Sequence, residues 1–103
     1  MKEEYVHLPL VKNEAAHQFE MEVEGQLAII AYEETHFKMT LLHTEVPEQL
    51  EGKGIATAII EKTLAYIEKN HYRLIPICPM VVIYIKRHPE WKMLLDESVR
   101  DKF

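Results

Sequence analysis

The chain has 103 residues, 48% hydrophobic and 28% charged, which is the length and make-up of one globular domain spanning residues 1–103. Its net charge of −5 lacks the basic excess of a nucleic-acid-binding face, and no apolar run approaches the ~18 residues of a membrane span. The single cysteine, Cys78, excludes an internal disulfide, and the charged start Met1-Lys2-Glu3-Glu4-Tyr5 lacks a secretory signal's apolar stretch, so a reducing, cytoplasmic setting is expected.

Val6 to Asn13 is mixed and broken by Pro9, and reads as an irregular lead-in. His17 to Val23 alternates, with Phe19, Met21 and Val23 on one face and Gln18, Glu20 and Glu22 on the other, as in a half-buried strand. Glu24-Gly25 signals a turn. Gln26 to Glu33 is apolar on both faces and predicts a more central strand. A second turn is expected over Glu33 to His36, then a third strand from Phe37 to Val46, ended by Pro47. Three strands with short connections make an antiparallel meander.

Ile55, Ile59, Ile60, Leu64 and Ile67 follow helical spacing, which predicts a helix from about Gly52 to Asn70. Tyr72 to Ile77 is rich in β-formers. Pro79 suits the first turn of a helix and His88-Pro89 its end, so Pro79 to His88 is read as helix despite its β-branched content. A further short helix is expected around Trp91 to Leu95. The expected fold is α/β: an antiparallel meander, then a β-α-β unit that pairs the Tyr72 strand parallel to the third strand, then a C-terminal helix.

Gly52 and Gly54 precede the long helix. Glycines let backbone approach a ligand closely, and the free N–H groups of a helix start favour an anion, although such a pair also serves in ordinary tight turns. The segment is not a P-loop, because no Gly-Lys-Ser/Thr follows at the right spacing. It is not a dinucleotide fingerprint either, because the third glycine is missing and the preceding strands are antiparallel.

Gln49-x-x-Gly52-x-Gly54 followed by Ile55-Ala56 resembles the Q/R-x-x-G-x-G/A signature of GNAT acetyltransferases. His43-Thr44-Glu45-Val46-Pro47 before it, and Pro76-x-Cys78-Pro79 with His88-Pro89-Glu90 after it, are similar to the short GNAT-like family of about this length. The resemblance implies a sheet splayed at its centre and acetyl-CoA or coenzyme A as ligand. It implies that Glu45 and Val46 pair through their backbones with the pantetheine arm. Gln49 and the stretch Gly52, Lys53, Gly54, Ile55, Ala56 and Thr57 would hold the diphosphate, and Cys78 would face the thioester. Tyr84 corresponds to a proton donor for the leaving thiolate, unless it is a core tyrosine.

The catalytic candidates are Cys78, His43 and Glu45. At the N-cap of a helix a thiolate is favoured, and a thiolate near a thioester can take its acyl group; a lone cysteine is equally read as a small buried hydrophobe. His43 is the candidate base, or else a solvent-facing strand residue. Glu45, two residues on, shares its face and would orient or replace it. Lys53 meets a phosphate or is an exposed loop lysine.

The function expected is acetyl-CoA-dependent N-acetyl transfer to a small-molecule or protein amine. The alternative is a CoA-binding module without efficient transfer, acting as a sensor or partner subunit. A thiol-redox role is weaker, because no Cys-x-x-Cys pair exists. No nucleic acid, membrane or metal is expected, and the protein is expected to be a monomer or homodimer.

Overall fold

The computed structural model describes all residues from Met1 to Phe103. Its elements are α1 (Glu3–Val6), β1 (Val11–Asn13), β2 (Gln18–Val23), β3 (Gln26–Thr35), β4 (Lys38–Glu45), a 3₁₀ turn (Glu48–Leu50), α2 (Ile55–Lys69), β5 (Arg73–Pro76), α3 (Pro79–Arg87), a second 3₁₀ segment (Pro89–Leu94) and α4 (Glu97–Arg100). The strands lie in sequence order, antiparallel up to β4 and parallel between β4 and β5. The meander and the β-α-β unit are as the patterning predicts.

Two local expectations need correction. The lead-in is not irregular throughout: it forms α1 and the short edge strand β1, with Pro9 between them. The second reversal is not at Glu33–His36, because β3 runs on to Thr35 and turns at His36-Phe37. Both turn residues have positive φ, 44° and 63°, as do Glu24 and Gly25 at 51° and 76°. This twist suits two-residue hairpins, and at Glu24-Gly25 the sequence advertises it with a glycine. His36-Phe37 carries no such signal. The short helix expected near Trp91 is present as a 3₁₀ segment, and beyond it Leu95 bridges to Leu74 along the outer edge of β5.

The core sits on one face of the sheet. Phe19, Met21, Ala28, Ile30, Met39, Leu41 and Leu74 are buried there under Ile59, Leu64 and Ile67 of α2 and Val81 and Ile85 of α3. The other face, with Gln18, Glu20, Ile29, Ala31 and His43, has neither of these helices over it.

Two features of β4 open the sheet at one end. Its register against β3 shifts between Ala31 and Tyr32: Tyr32 faces Leu41, while Ala31 faces His43, leaving Leu42 as an extra residue. Its pairing with β5 ends at Leu41 opposite Pro76. The Leu41 carbonyl then accepts both the Ile77 and Cys78 N–H groups, each at 2.9 Å, and the chain turns away into α3.

At the other end of the sheet, the Lys12 ammonium bonds the Glu34 carboxylate and lies 5.5–5.7 Å from the ring centres of Tyr32, Tyr66 and Tyr72. The Tyr72 hydroxyl also donates to Glu34, at 2.7 Å. The bond from Lys12, then that from Tyr72, hold the Glu34 carboxyl below its ordinary value of 4.5. A depressed folded-state value means that the ionised carboxylate stabilises the fold above the ordinary value, and that this contribution is lost as pH falls through the folded one. The thermal midpoint is therefore expected to drop as pH is lowered below about 4.5. Glu34→Gln should flatten that decline, which thermal unfolding followed by circular dichroism across pH 3–7 measures.

Candidate functional site

The fork between β4 and β5 opens a cavity of about 640 Å³. Past Leu41, β4 has β3 on one side and no strand on the other. Thr44, Glu45, Val46 and Pro47 line the cavity along this free edge. Leu50 to Gly52 and Gly54 to Thr57 line its end, and Met80 of α3 and Leu27 lie across from them. Leu50 is fully buried and anchors the 3₁₀ turn that carries the chain from β4 to α2.

The turn into α2 is built to leave amides free. Gly52 and Gly54 both have positive φ, 78° and 79°, in the left-handed region that side chains disfavour. Gly54 is the N-cap of α2 and offers no side chain to satisfy the helix start. The first bond made by this end of the helix is Ala58 N–H to the Gly54 carbonyl, at 3.1 Å. From Gly52 through Thr57, the successive N–H groups donate to no acceptor in the protein. A run of free amides at a helix N-terminus suits an anion, and the helix dipole adds to such an attraction.

The catalytic candidates divide across the sheet. Cys78, the N-cap of α3, is 1% exposed, and its Sγ lies 3.3 Å from the Thr44 hydroxyl, which borders the cavity. His43 and Glu45 lie on the opposite face, where His43 Nε2 is 3.7 Å from Glu45 Oε1 and both are well exposed. No hydrogen bond joins Cys78 to His43. The residue between His43 and Glu45 in the chain, Thr44, is the one that touches the thiol, a role that no pattern in the sequence marks. Its inward facing follows from the extra residue Leu42, which the sequence does not announce.

Of the residues expected to hold a ligand, Val46, Gly52, Gly54, Ile55, Ala56 and Thr57 meet around this cavity. Gln49, Lys53 and Tyr84 do not line it. Gln49 is exposed on the 3₁₀ turn. The Lys53 ammonium is turned to the Glu24 carboxylate, 3.4 Å away. Tyr84 lies in a neighbouring hollow, with its hydroxyl 3.3 Å from Glu61. Burial, then the nearby Glu61 charge, push that hydroxyl above its ordinary value of 10.0, so it stays protonated at neutral pH.

A meander feeding a β-α-β crossover, forked between β4 and β5 and with free amides at the mouth of the fork, defines an α/β domain of the acetyltransferase type. Residues 18–94 match the family described as GCN5-related N-acetyl-transferase, and the chain belongs to that family. Membership points to acetyl-CoA-dependent acetyl transfer as the general chemistry.

The two glycines set the loop's conformation rather than filling tight space. A Cβ on Gly54 would lie 3.5 Å from the Lys2 side chain, an ordinary contact, and one on Gly52 would meet nothing within 4 Å. The cost of a side chain is conformational. Gly54→Ala is expected to lower the unfolding free energy by about 1–2 kcal/mol, read from chemical denaturation.

Proposed function

We propose that the protein binds acetyl-CoA in the fork and transfers the acetyl group to an amine. The observation that carries this reading is the run of unsatisfied amides from Gly52 to Thr57 at the end of a free strand edge. The amides suit the diphosphate. The open backbone of β4 at Glu45 and Val46 suits the amide groups of the pantetheine arm, which take the place of the missing strand. The apolar side chains Leu27, Val46 and Met80 suit its methylenes.

The chemistry follows from where the groups lie. The acceptor nitrogen attacks the thioester carbonyl carbon, a C–N bond forms, and the C–S bond breaks. His43 takes the proton from the nitrogen, oriented by Glu45, and the departing thiolate takes one from solvent or a protonated neighbour. The 56% exposure of the His43 side chain supports this role, since an amine arriving from solvent can meet it.

A second reading is favoured by one observation, the placement of Cys78 Sγ directly behind Thr44. There the thiol would accept the acetyl group first and pass it to the amine. Intact-mass analysis after incubation with acetyl-CoA decides between the two. An acetyl adduct that Cys78→Ala abolishes supports the covalent route, whereas undiminished transfer by Cys78→Ala assigns the reaction to direct attack.

Two variants test the main reading. Gly52→Val should force the loop out of its left-handed turn, misaim its amides and weaken CoA binding by on the order of 1–3 kcal/mol, as expected when charge-assisted hydrogen bonds are lost. Calorimetric titration of the folded variant reads this, and affinity equal to wild type would contradict the site. His43→Ala should leave CoA binding intact and lower amine-dependent release of CoA thiol roughly 10²-fold. Binding of CoA with no amine-dependent release from any of a panel of amines would make the protein a coenzyme-binding module instead.

A further inference from the structure

The segment that matches the family begins at residue 18, yet the glycine loop rests on residues well before it. Tyr5 of α1 is buried, and its hydroxyl donates to the Lys53 carbonyl at 2.9 Å across a separation of 48 residues. Lys62 of α2 in turn donates to the Val6 carbonyl at 3.0 Å, which ties α1 to the helix behind the loop. The side chain of Lys2 lies alongside Gly54, its Cε 3.5 Å from where a Cβ on that residue would sit.

The bond to Lys53 has a directional consequence. In a planar trans peptide the carbonyl of one residue and the N–H of the next point in opposite directions. Holding the Lys53 carbonyl on Tyr5 therefore aims the Gly54 N–H away from α1, on the side where Gly54 borders the cavity. Gly54, at φ 79° on one side of that peptide plane, would otherwise leave it free to rotate. Tyr5 supplies from outside the loop the constraint that the glycines cannot.

Charge raises a separate point. Glu45 and Glu51 are the charged residues bordering the cavity, no cation borders it, and the Glu45 carboxylate is turned to His43 on the other face. The loop's own lysine, Lys53, is paired with Glu24 on the turn between β2 and β3. Lys2 makes no ion pair with any residue, and its side chain lies beside Gly54 at the rim of a separate hollow on the α1 side of the loop, which it shares with Tyr5 and Lys53.

We propose that residues 2–5 complete the diphosphate site, with Tyr5 as a positioning residue for the Gly54 amide and Lys2 as the cation whose exposed side chain reaches round Gly54 to the diphosphate. The proposal deepens the coenzyme reading above and rests on it. Tyr5→Phe keeps the buried ring and removes only the donor. Lys2→Gln alters an exposed side chain that the core does not need. The probes are CoA, which carries the diphosphate, and pantetheine, which lacks it, each titrated against the full chain by NMR.

Tyr5→Phe is expected to weaken CoA roughly three- to tenfold, as for loss of one hydrogen bond, while leaving pantetheine affinity unchanged. Lys2→Gln should likewise weaken CoA alone and make its binding less sensitive to salt, and Lys2→Arg should restore both. A purely structural role for Tyr5 would weaken both ligands together, and that result would overturn its positioning role. If wild type binds CoA and both variants bind it equally well, the N-terminal segment plays no part and only this proposal fails. If wild type binds no CoA at all, the coenzyme reading itself fails, and this proposal with it.

Discussion

Past Leu41 the backbone of β4 runs on with a strand on one side only, and the point where its second partner leaves is a single carbonyl shared by two N–H groups. Ile77 and Cys78 both donate to the Leu41 oxygen, so the hydrogen-bond ladder between β4 and β5 ends there without stranding a donor from the departing chain. Pro76 immediately precedes this point and Pro79 starts α3, so β5 has little scope to continue as a strand. What remains is an exposed ladder edge inside the fold, at Leu42 to Glu45. Edges of this kind invite an extended partner, and the cavity beside this one gives such a partner room.

The same fork fixes where the second helix must begin. The chain leaving β4 has to cross the open end of the fork before α2 can cover the sheet, and it does so through the 3₁₀ turn and two left-handed glycines. The helix start is thereby delivered to the mouth of the cavity with its amides unspent. In a chain of net charge −5, with no cation among the residues bordering the cavity, general electrostatics oppose an anionic ligand. Within the cavity wall itself, attraction for an anion would come from oriented N–H dipoles at short range, which act whatever the global charge.

Much of this was legible in the sequence. Phe19, Met21 and Val23 alternate as a half-buried strand must, and the long helix announces itself through Ile55, Ile59, Leu64 and Ile67. Pro79 correctly outweighed the β-branched Val81, Val82 and Ile83, because a helix start tolerates proline while a central strand does not. The failures have physical causes. β1 is only Val11–Asn13, too short for a period to show, and its formation depends on pairing with β2. His36-Phe37 adopts a hairpin turn without a turn residue, so the long ladder on either side must hold it. The Tyr5 bond to Lys53 is wholly tertiary, and no local pattern could point to it.

The bulge at Leu42 was equally invisible, and it decides which side chains face which side of the sheet. Met39 and Leu41 point into the core. Without an extra residue, alternation would send His43 in after them and turn Thr44 outward. With Leu42 inserted, Thr44 takes the core side opposite Ile30 and meets the Cys78 thiol, while His43 and Glu45 turn to the face that α2 and α3 leave bare. One added residue thus separates a buried hydroxyl–thiol contact from an exposed imidazole–carboxylate pair on neighbouring positions of one strand. On the acyl-transfer reading, the division has a consequence for the acceptor. The coenzyme would occupy the fork beside Thr44, and the amine would reach His43 across the open face of the sheet, where neither α2 nor α3 limits the size of the molecule that carries it.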